Sequence, residues 1–413
     1  MTTKPVGVAV SHADLFPLLA DLVRTLLHGS YEGTYTCETL VREVAATYGH
    51  TVDVTFLADS AILTLGERTA SFSATPDVPP LDRISRLKRV LIGIHDGSLT
   101  PGEARARIVA DAERPPRWRR PWQVFGLVLF SVGFGISIQP SWQQVIVCTV
   151  TGLLVGLLVA AGRGKLWLTL ASPLIGSIMV SSVVLFAYRQ DWVEGAPIPL
   201  ILPALFYFIP GDALSAACLE LVVGRMTAGT ARLVYAMVTL LVLAFGASLA
   251  TFVADVPADA LFDSDGGGDL GPWAVWIGWS LFTVGIMFGF SMTPRDLPWA
   301  LLVVLVTVAA VQIGTRAVGD PTGTFIGAVV MTVTALTLGR FHRLPPAYVL
   351  HLGAFYVLTP GAHGLRGLET WLGGDQVEGL TDIASMAQLL MAIGLGMLVG
   401  AIVAGPKALR HSL

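Results

Sequence analysis

The stretch from Ala196 to Arg232, APIPLILPALFYFIPGDALSAACLELVVGRMTAGTAR, sets the tightest limit on what this chain can become. It is apolar enough to sit in a bilayer, yet it carries Pro197, Pro199, Pro203 and Pro210, then Gly211-Asp212, then Glu220. A proline inside a helix removes a hydrogen bond and clashes with the preceding turn. Within lipid, the backbone groups so freed must be satisfied by protein or trapped water. A span broken this way is a poor anchor. It also has an echo downstream: Phe206-Tyr207-Phe208-Ile209-Pro210-Gly211 recurs as Phe355-Tyr356-Val357-Leu358-Thr359-Pro360-Gly361.

Composition agrees with a membrane setting. Of 413 residues, 54% are hydrophobic and only 13% charged, against about a quarter charged in soluble domains. The net charge of −3 speaks against a nucleic-acid partner. Cys37, Cys148 and Cys218 are far apart and odd in number, which fits neither a disulfide framework nor a metal site. No cofactor is expected. The N-terminus, MTTKPVGVAVSHADLF, lacks a basic region followed by an apolar core, so no signal peptide is expected. The expected fold is a polytopic α-helical membrane protein: about ten transmembrane helices in two inverted five-helix repeats, preceded by a small soluble α+β domain.

The soluble part covers residues 1–115. Leu15 to Leu27 has apolar residues at helical spacing, and Leu40, Val41, Val44, Ala45 and Tyr48 mark a second helix ending near Gly49. Val52 to Phe56 alternates with period two, and Ser60–Leu65 and Ala70–Phe72 add strands around a turn at Gly66-Glu67. Leu81 to Ile94 predicts a helix with a basic face of Arg83, Arg86, Lys88 and Arg89. Thr100-Pro101-Gly102-Glu103 opens another, with proline at its first position. The basic face reads as a wet surface or as a contact for anionic headgroups. Glu32, Glu38, Glu43, His50, His95 and Asp96 sit in no nucleophile or metal spacing.

A bilayer takes about 20 apolar residues per helix. Candidate spans are Trp122–Ile138, Val145–Ala161, Leu166–Tyr188, Pro197–Val223 and Ala231–Val253, then Trp273–Met292, Trp299–Gly314, Gly323–Leu338, Ala347–Gly361 and Ile383–Ala404. Residues 116–254 form the first repeat and 271–413 the second. The acidic, glycine-rich stretch 255–270 is an extracytoplasmic linker. Starting inside, the inner connections hold Arg117, Arg119, Arg120, Arg163, Lys165, Arg225, Arg232, Arg295, Arg340, Arg343, Lys407 and Arg410. The outer ones hold only Arg189, Arg316 and Arg366. Lysine and arginine favour the cytoplasmic side, which places both termini and the N-terminal domain in the cytoplasm, at the inner membrane. Five spans per half is odd, so the second copy enters from the opposite side. Gly176 pairs with Gly327, and Pro197 with Pro346, in the two halves.

The candidate pathway is built on the two breaks. Asp212 is either a cap of the helix that follows Pro210-Gly211 or a carboxylate that takes a substrate ammonium or a proton. Glu220 either pairs with Arg225 or Arg232 near the cytoplasmic interface or lies deeper with a functional role. The positive end of the half-helix beginning near Asp212 suits an anionic group such as a carboxylate. Pro360 and Gly361 supply a facing wall, and Phe206, Tyr207, Phe355 and Tyr356 either shape the pocket or simply pack. Gln139, Gln143, Gln144, Gln312 and His351 read as helix–helix hydrogen bonds.

Three blocks resemble the threonine/serine exporters of the ThrE type. The first runs from Leu22 through Glu38-Thr39-Leu40-Val41-Arg42, Thr51-Val52-Asp53-Val54 and Leu81-Asp82-Arg83-Ile84-Ser85-Arg86 to Gly97-Ser98-Leu99-Thr100-Pro101-Gly102-Glu103-Ala104. The second runs from Ile209-Pro210-Gly211 to Gly224 and adds Gly229-Thr230-Ala231-Arg232-Leu233. The third is Thr359-Pro360-Gly361. The chain departs from the pattern at Gly224-Arg225, where an acidic residue is expected after the glycine. The resemblance implies export of threonine and serine, driven by the proton motive force, through a cytoplasmic domain and ten helices. A secondary transporter, not an enzyme, is then expected, with small amino acids, protons and the lipid bilayer as partners. A homo-oligomer stays open. The competing readings are a membrane-anchored hydrolase acting through its soluble domain and a passive small-solute channel.

Overall fold

The structure is a computed structural model. It describes residues 11–28, 33–74, 79–138, 141–193, 197–254, 270–358, 365, 367, 368, 370 and 376–405. Pro360, Gly361, the linker through residue 269, Glu32 and Gln139 lie outside the described residues.

The first elements are α1 (His12–His28), α2 (Thr34–Thr47), β1 (Asp53–Phe56), β2 (Ser60–Leu65), β3 (Arg68–Ser73), α3 (Leu81–His95) and α4 (Pro101–Glu113). The strands form an antiparallel meander in the order β1-β2-β3. Val54 pairs with Leu63, and Leu63 with Ala70. Alternation turns Val54, Phe56, Ala61, Leu63 and Leu65 inward, where they share one apolar core with Leu18, Leu22, Val41, Val90 and Ile108. α4 starts where the sequence predicts, because Thr100 and Glu103 close a reciprocal capping box around Pro101.

The apolar part comprises α5 (Arg120–Ile138), α6 (Trp142–Gly162), α7 (Leu166–Arg189), α8 (Pro197–Leu205), α9 (Gly211–Val222) and α10 (Met226–Ala254), then α11 (Trp273–Gly289), α12 (Leu297–Val318), α13 (Asp320–Gly339), α14 (Ala347–Val357) and α15 (Gln376–Ala404). Among the described residues, 7 helices are long and apolar enough to cross a membrane, and α11 and α14 are shorter apolar helices. The protein is a mostly helical, polytopic membrane protein. At 1.5 Å per residue, α8 and α9 run about 14 and about 18 Å, so neither alone reaches across the ~30 Å of a bilayer's hydrocarbon core.

Glycines fix a close crossing of α5 and α11. A Cβ on Gly133 of α5 would lie 2.3 Å from the Phe282 nitrogen, and one on Gly285 of α11 would lie 2.4 Å from the Phe130 nitrogen. Only backbone-to-backbone packing fits there, the small-residue solution for helices in lipid. Around this crossing Phe130 and Phe282 lie 4.3 Å apart between ring centroids, and Phe134 stacks on Phe206 at 4.0 Å.

The N-terminal elements dock against one end of the helical part. The Leu81 and Asp82 amides donate to the Phe290 and Ser291 carbonyls at 2.9 and 3.1 Å. The Ser85 hydroxyl donates to Asp296 at 2.8 Å. Lys88, only 3% exposed, donates to the carbonyls of Gly339, Phe341, Leu344 and Pro345, where α13 ends and α14 is about to begin. Burial pulls the Lys88 pKa down to about 8, with Asp296 opposing the shift. Apart from the exposed Arg89, the basic face of α3 is therefore not a wet surface. Lys88 grips helix ends, Arg86 pairs with Asp82 and Asp111, and Arg83 donates to the Ala112 carbonyl. The arginine-rich connections around 117–119, 225, 295 and 340–343 lie at this same end.

Candidate site at the broken helix

Why the chain breaks between α8 and α9 follows from its backbone. Pro210 has no amide proton, and Phe206 to Ile209 form a turn in which the Phe208 amide donates to Leu205 and the Gly211 amide to Ile209, both at 2.8 Å. α9 then starts with Pro210 at its cap position and no side-chain cap there. Asp212 sits in the first turn instead. Its Oδ1 accepts from the Ala213 amide at 3.0 Å, so it covers one of the orphan donors of a helix start without being the cap itself. A carboxylate here also faces the positive end of the helix dipole.

The start of α9 packs on α14. A Cβ added to Gly211 would meet Tyr356 Cε1 at 3.3 Å and Phe355 Cε1 at 3.6 Å. Tyr356 in turn lies edge-on to Phe206 at 5.1 Å. The structure thus brings Phe206, Gly211, Phe355 and Tyr356 into one place, although Pro360 and Gly361 are outside what it describes. Phe206 and its neighbours Phe130, Phe134 and Phe282 form a packed aromatic cluster.

Two cavities meet at Asp212, which is 8% exposed. The larger, about 500 Å³, reaches from Pro80 and Arg163 at the docked end to Tyr207, Pro210, Asp212 and Tyr356 at the break. Gln123 also lines it. The smaller, about 120 Å³, lies between α9 and the helices α13, α14 and α15. Its walls include Asp212 and Ser215 on one side and Thr332, Tyr348, His351 and Phe355 on the other, with Thr36 of α2 contributing as well.

Glu220 lies at the other end of α9. It is 1% exposed, and its Oε1 accepts from the Thr34 amide, at the N-terminus of α2, at 2.8 Å. Its Oε2 pairs with Arg232 Nε at 3.3 Å. Arg225, the residue that departs from the family pattern, forms a two-pronged pair with the buried Glu38 at 3.1 and 2.6 Å. Glu38 also accepts from the Phe56 amide. Glu220 and Arg225 thus fasten α2 to α9 and α10 rather than facing the break.

Thr332 and Gln123 line the cavities without standing among the sequence's candidate residues, and His351 lines the smaller one where its place in an apolar run suggests only a helix–helix hydrogen bond. Their one available signal was a polar side chain in an apolar run. Among the described residues, no group of three or more His, Cys, Asp or Glu could hold a metal ion.

With this geometry in place, comparison with known proteins adds one finding. The model of the ThrE family, described as "Putative threonine/serine exporter", matches residues 23–254, more than half of the chain. No curated protein and no solved structure matches it. The match begins in α1 and runs to the end of α10, so it takes in the N-terminal elements, the dock and the broken helix. The chain belongs to the ThrE family of threonine/serine exporters.

Proposed function

We propose that this protein exports threonine and serine across the cytoplasmic membrane in exchange for protons, using Asp212 as the carboxylate that alternates between a proton and the substrate ammonium. One observation carries this reading: Asp212 stands at the break between α8 and α9 and borders both cavities. A half-helix N-terminus near mid-membrane is the arrangement that broken-helix transporters use to meet a carboxylate. Asp212 and the orphan amides of α9 together present opposite charges to a zwitterion.

The helix packing supports two inverted repeats, α5–α10 and α11–α15. α6 touches α5, α7 and α8, and α12 touches α11, α13 and α14 in the same way. α7 packs on α10 as α13 packs on the last helix, and the two first helices, α5 and α11, pack on each other. An added Cβ on Gly176 would meet Phe208 at 2.5 Å, and one on Gly327 would meet Val311 first and Leu358 at 3.3 Å, so each glycine faces the segment after a short helix, as a repeat would have it. The shared side of the N-terminal domain and the arginine-rich connections supports a cytoplasmic domain of residues 1–115 by the positive-inside rule. The larger cavity then opens from the cytoplasm towards Asp212, the loading position of an exporter.

One proton moving down 100 mV supplies about 2.3 kcal/mol, enough for a roughly 50-fold gradient. The test is threonine counterflow in proteoliposomes of the purified protein with an imposed proton gradient. Threonine and serine movement that follows the gradient and stops with an uncoupler is expected. Movement indifferent to the gradient removes proton exchange from the account, and no movement removes the exporter reading.

A further inference from the structure

We propose that the smaller cavity reads the side-chain hydroxyl of the bound amino acid, through His351 of α14 and Thr332 of α13. This rests on the exporter reading above and names the part of the site that would set its selectivity. Two buried polar atoms in this cavity's wall, His351 Nε2 and Thr332 Oγ1, have no hydrogen-bond partner. More than about nine in ten buried polar groups are paired in folded proteins, so two such atoms on one small cavity mark a place built for a polar guest.

The chemistry of the pair selects the guest. An imidazole nitrogen either donates or accepts, and a threonine hydroxyl does both. A ligand hydroxyl, donor and acceptor at once, completes either arrangement, whereas a methyl group in its place leaves both protein atoms unpaired. The cavity's ~120 Å³ is several times the roughly 10–15 Å³ that one water needs, so it takes a small solute. Across from the pair, Asp212 borders the same space and suits the ammonium end of an amino acid. Ala335, Leu336 and Met397 supply apolar wall that accommodates a threonine methyl, and a polar contact beside such wall is stronger than one in bulk water.

Thr332 is held in place. It is 5% exposed, and a Cβ on Gly400 of α15 would come within 2.8 Å of the Thr332 Cβ. This tight crossing of α13 and α15 fixes the Thr332 Cβ, the carbon that bears the hydroxyl. A site that hydrogen-bonds a substrate hydroxyl rejects the analogue without it far more strongly than a merely apolar pocket distinguishes sizes.

The experiment measures binding of radiolabelled L-threonine to the purified full-length protein by equilibrium dialysis, with L-serine, L-valine and L-alanine as competitors. Threonine efflux from proteoliposomes is recorded beside it. The wild type is expected to prefer threonine over the isosteric valine, and serine over alanine, by at least about tenfold. Both ratios fall towards one in Thr332→Val and in His351→Leu, and Thr332→Ser restores them. Ratios that stay at the wild-type value in both variants overturn the inference while wild-type threonine efflux leaves the exporter reading standing. A wild type that neither binds nor moves threonine overturns both. Should Thr332→Val fail to fold, His351→Leu and Thr332→Ser decide the question in the same terms.

Discussion

Asp212 and Glu220 stand on one helix, eight residues and about 12 Å of helix rise apart, and both are buried. Glu220 is enclosed by protein: the Thr34 amide and the Arg232 guanidinium hold its two oxygens. Asp212 borders two cavities, one of about 500 Å³ and one of about 120 Å³. A carboxylate in a membrane interior is expensive and is kept where it is paired or used. The two ends of α9 show both solutions. Fixed partners make Glu220 a fastening between the N-terminal domain and the helical part, while the space beside Asp212 leaves room for a solute.

This contrast can be broken experimentally. The largest effect on stability belongs to Glu220→Ala, which takes the paired carboxylate from the buried Arg232 guanidinium and should cost about 3–5 kcal/mol. Thermal unfolding in detergent reads it, and adding Arg232→Leu should recover most of the loss. A single variant that melts like the wild type would show that the pair does not fasten α9. Arg225→Ala comes next, at about 1 kcal/mol, because its pair with Glu38 is partly exposed. Faster proteolytic release of the N-terminal domain should accompany it, and unchanged release would count against the dock.

Lys88 offers a titration. Its folded pKa of about 8 lies below the ordinary lysine value of 10.5, so between these pH values the folded state binds fewer protons than the unfolded chain. Its contribution therefore makes the fold more stable as pH rises from 8 to 10.5. Lys88→Met should flatten that part of the melting-versus-pH curve, and a variant with the wild-type slope would refute the assignment. The smallest effect on stability belongs to Asp212→Asn, under about 1 kcal/mol, because the amide keeps an acceptor oxygen for Ala213.

Much of this was legible in the sequence. The proline series and Pro210-Gly211 place the break, because a carbonyl that proline leaves without its donor must be satisfied elsewhere in lipid. Alternation finds the three strands, and Thr100-Pro101 with Glu103 finds the start of α4. The docking was not legible. Contacts such as Lys88 to the end of α13, or Glu38 to Arg225, join residues far apart in sequence and leave no periodic trace. The basic face of α3 has the same pattern whether it faces water or helix carbonyls, and only the fold decides. His351 and Thr332 are single polar residues in apolar runs. That both meet one cavity depends on how α13, α14 and α15 diverge.

The central claim is that the two carboxylates of α9 have different work. Threonine counterflow in proteoliposomes, measured for Asp212→Asn and Glu220→Gln alongside each variant's melting temperature, tests it most directly. Asp212→Asn should lower transport by more than about tenfold, as expected when a charged partner of the substrate is lost, while melting stays near wild type. Glu220→Gln should do the reverse, lowering the melting temperature while the remaining folded protein still transports. Wild-type transport in Asp212→Asn would contradict the claim.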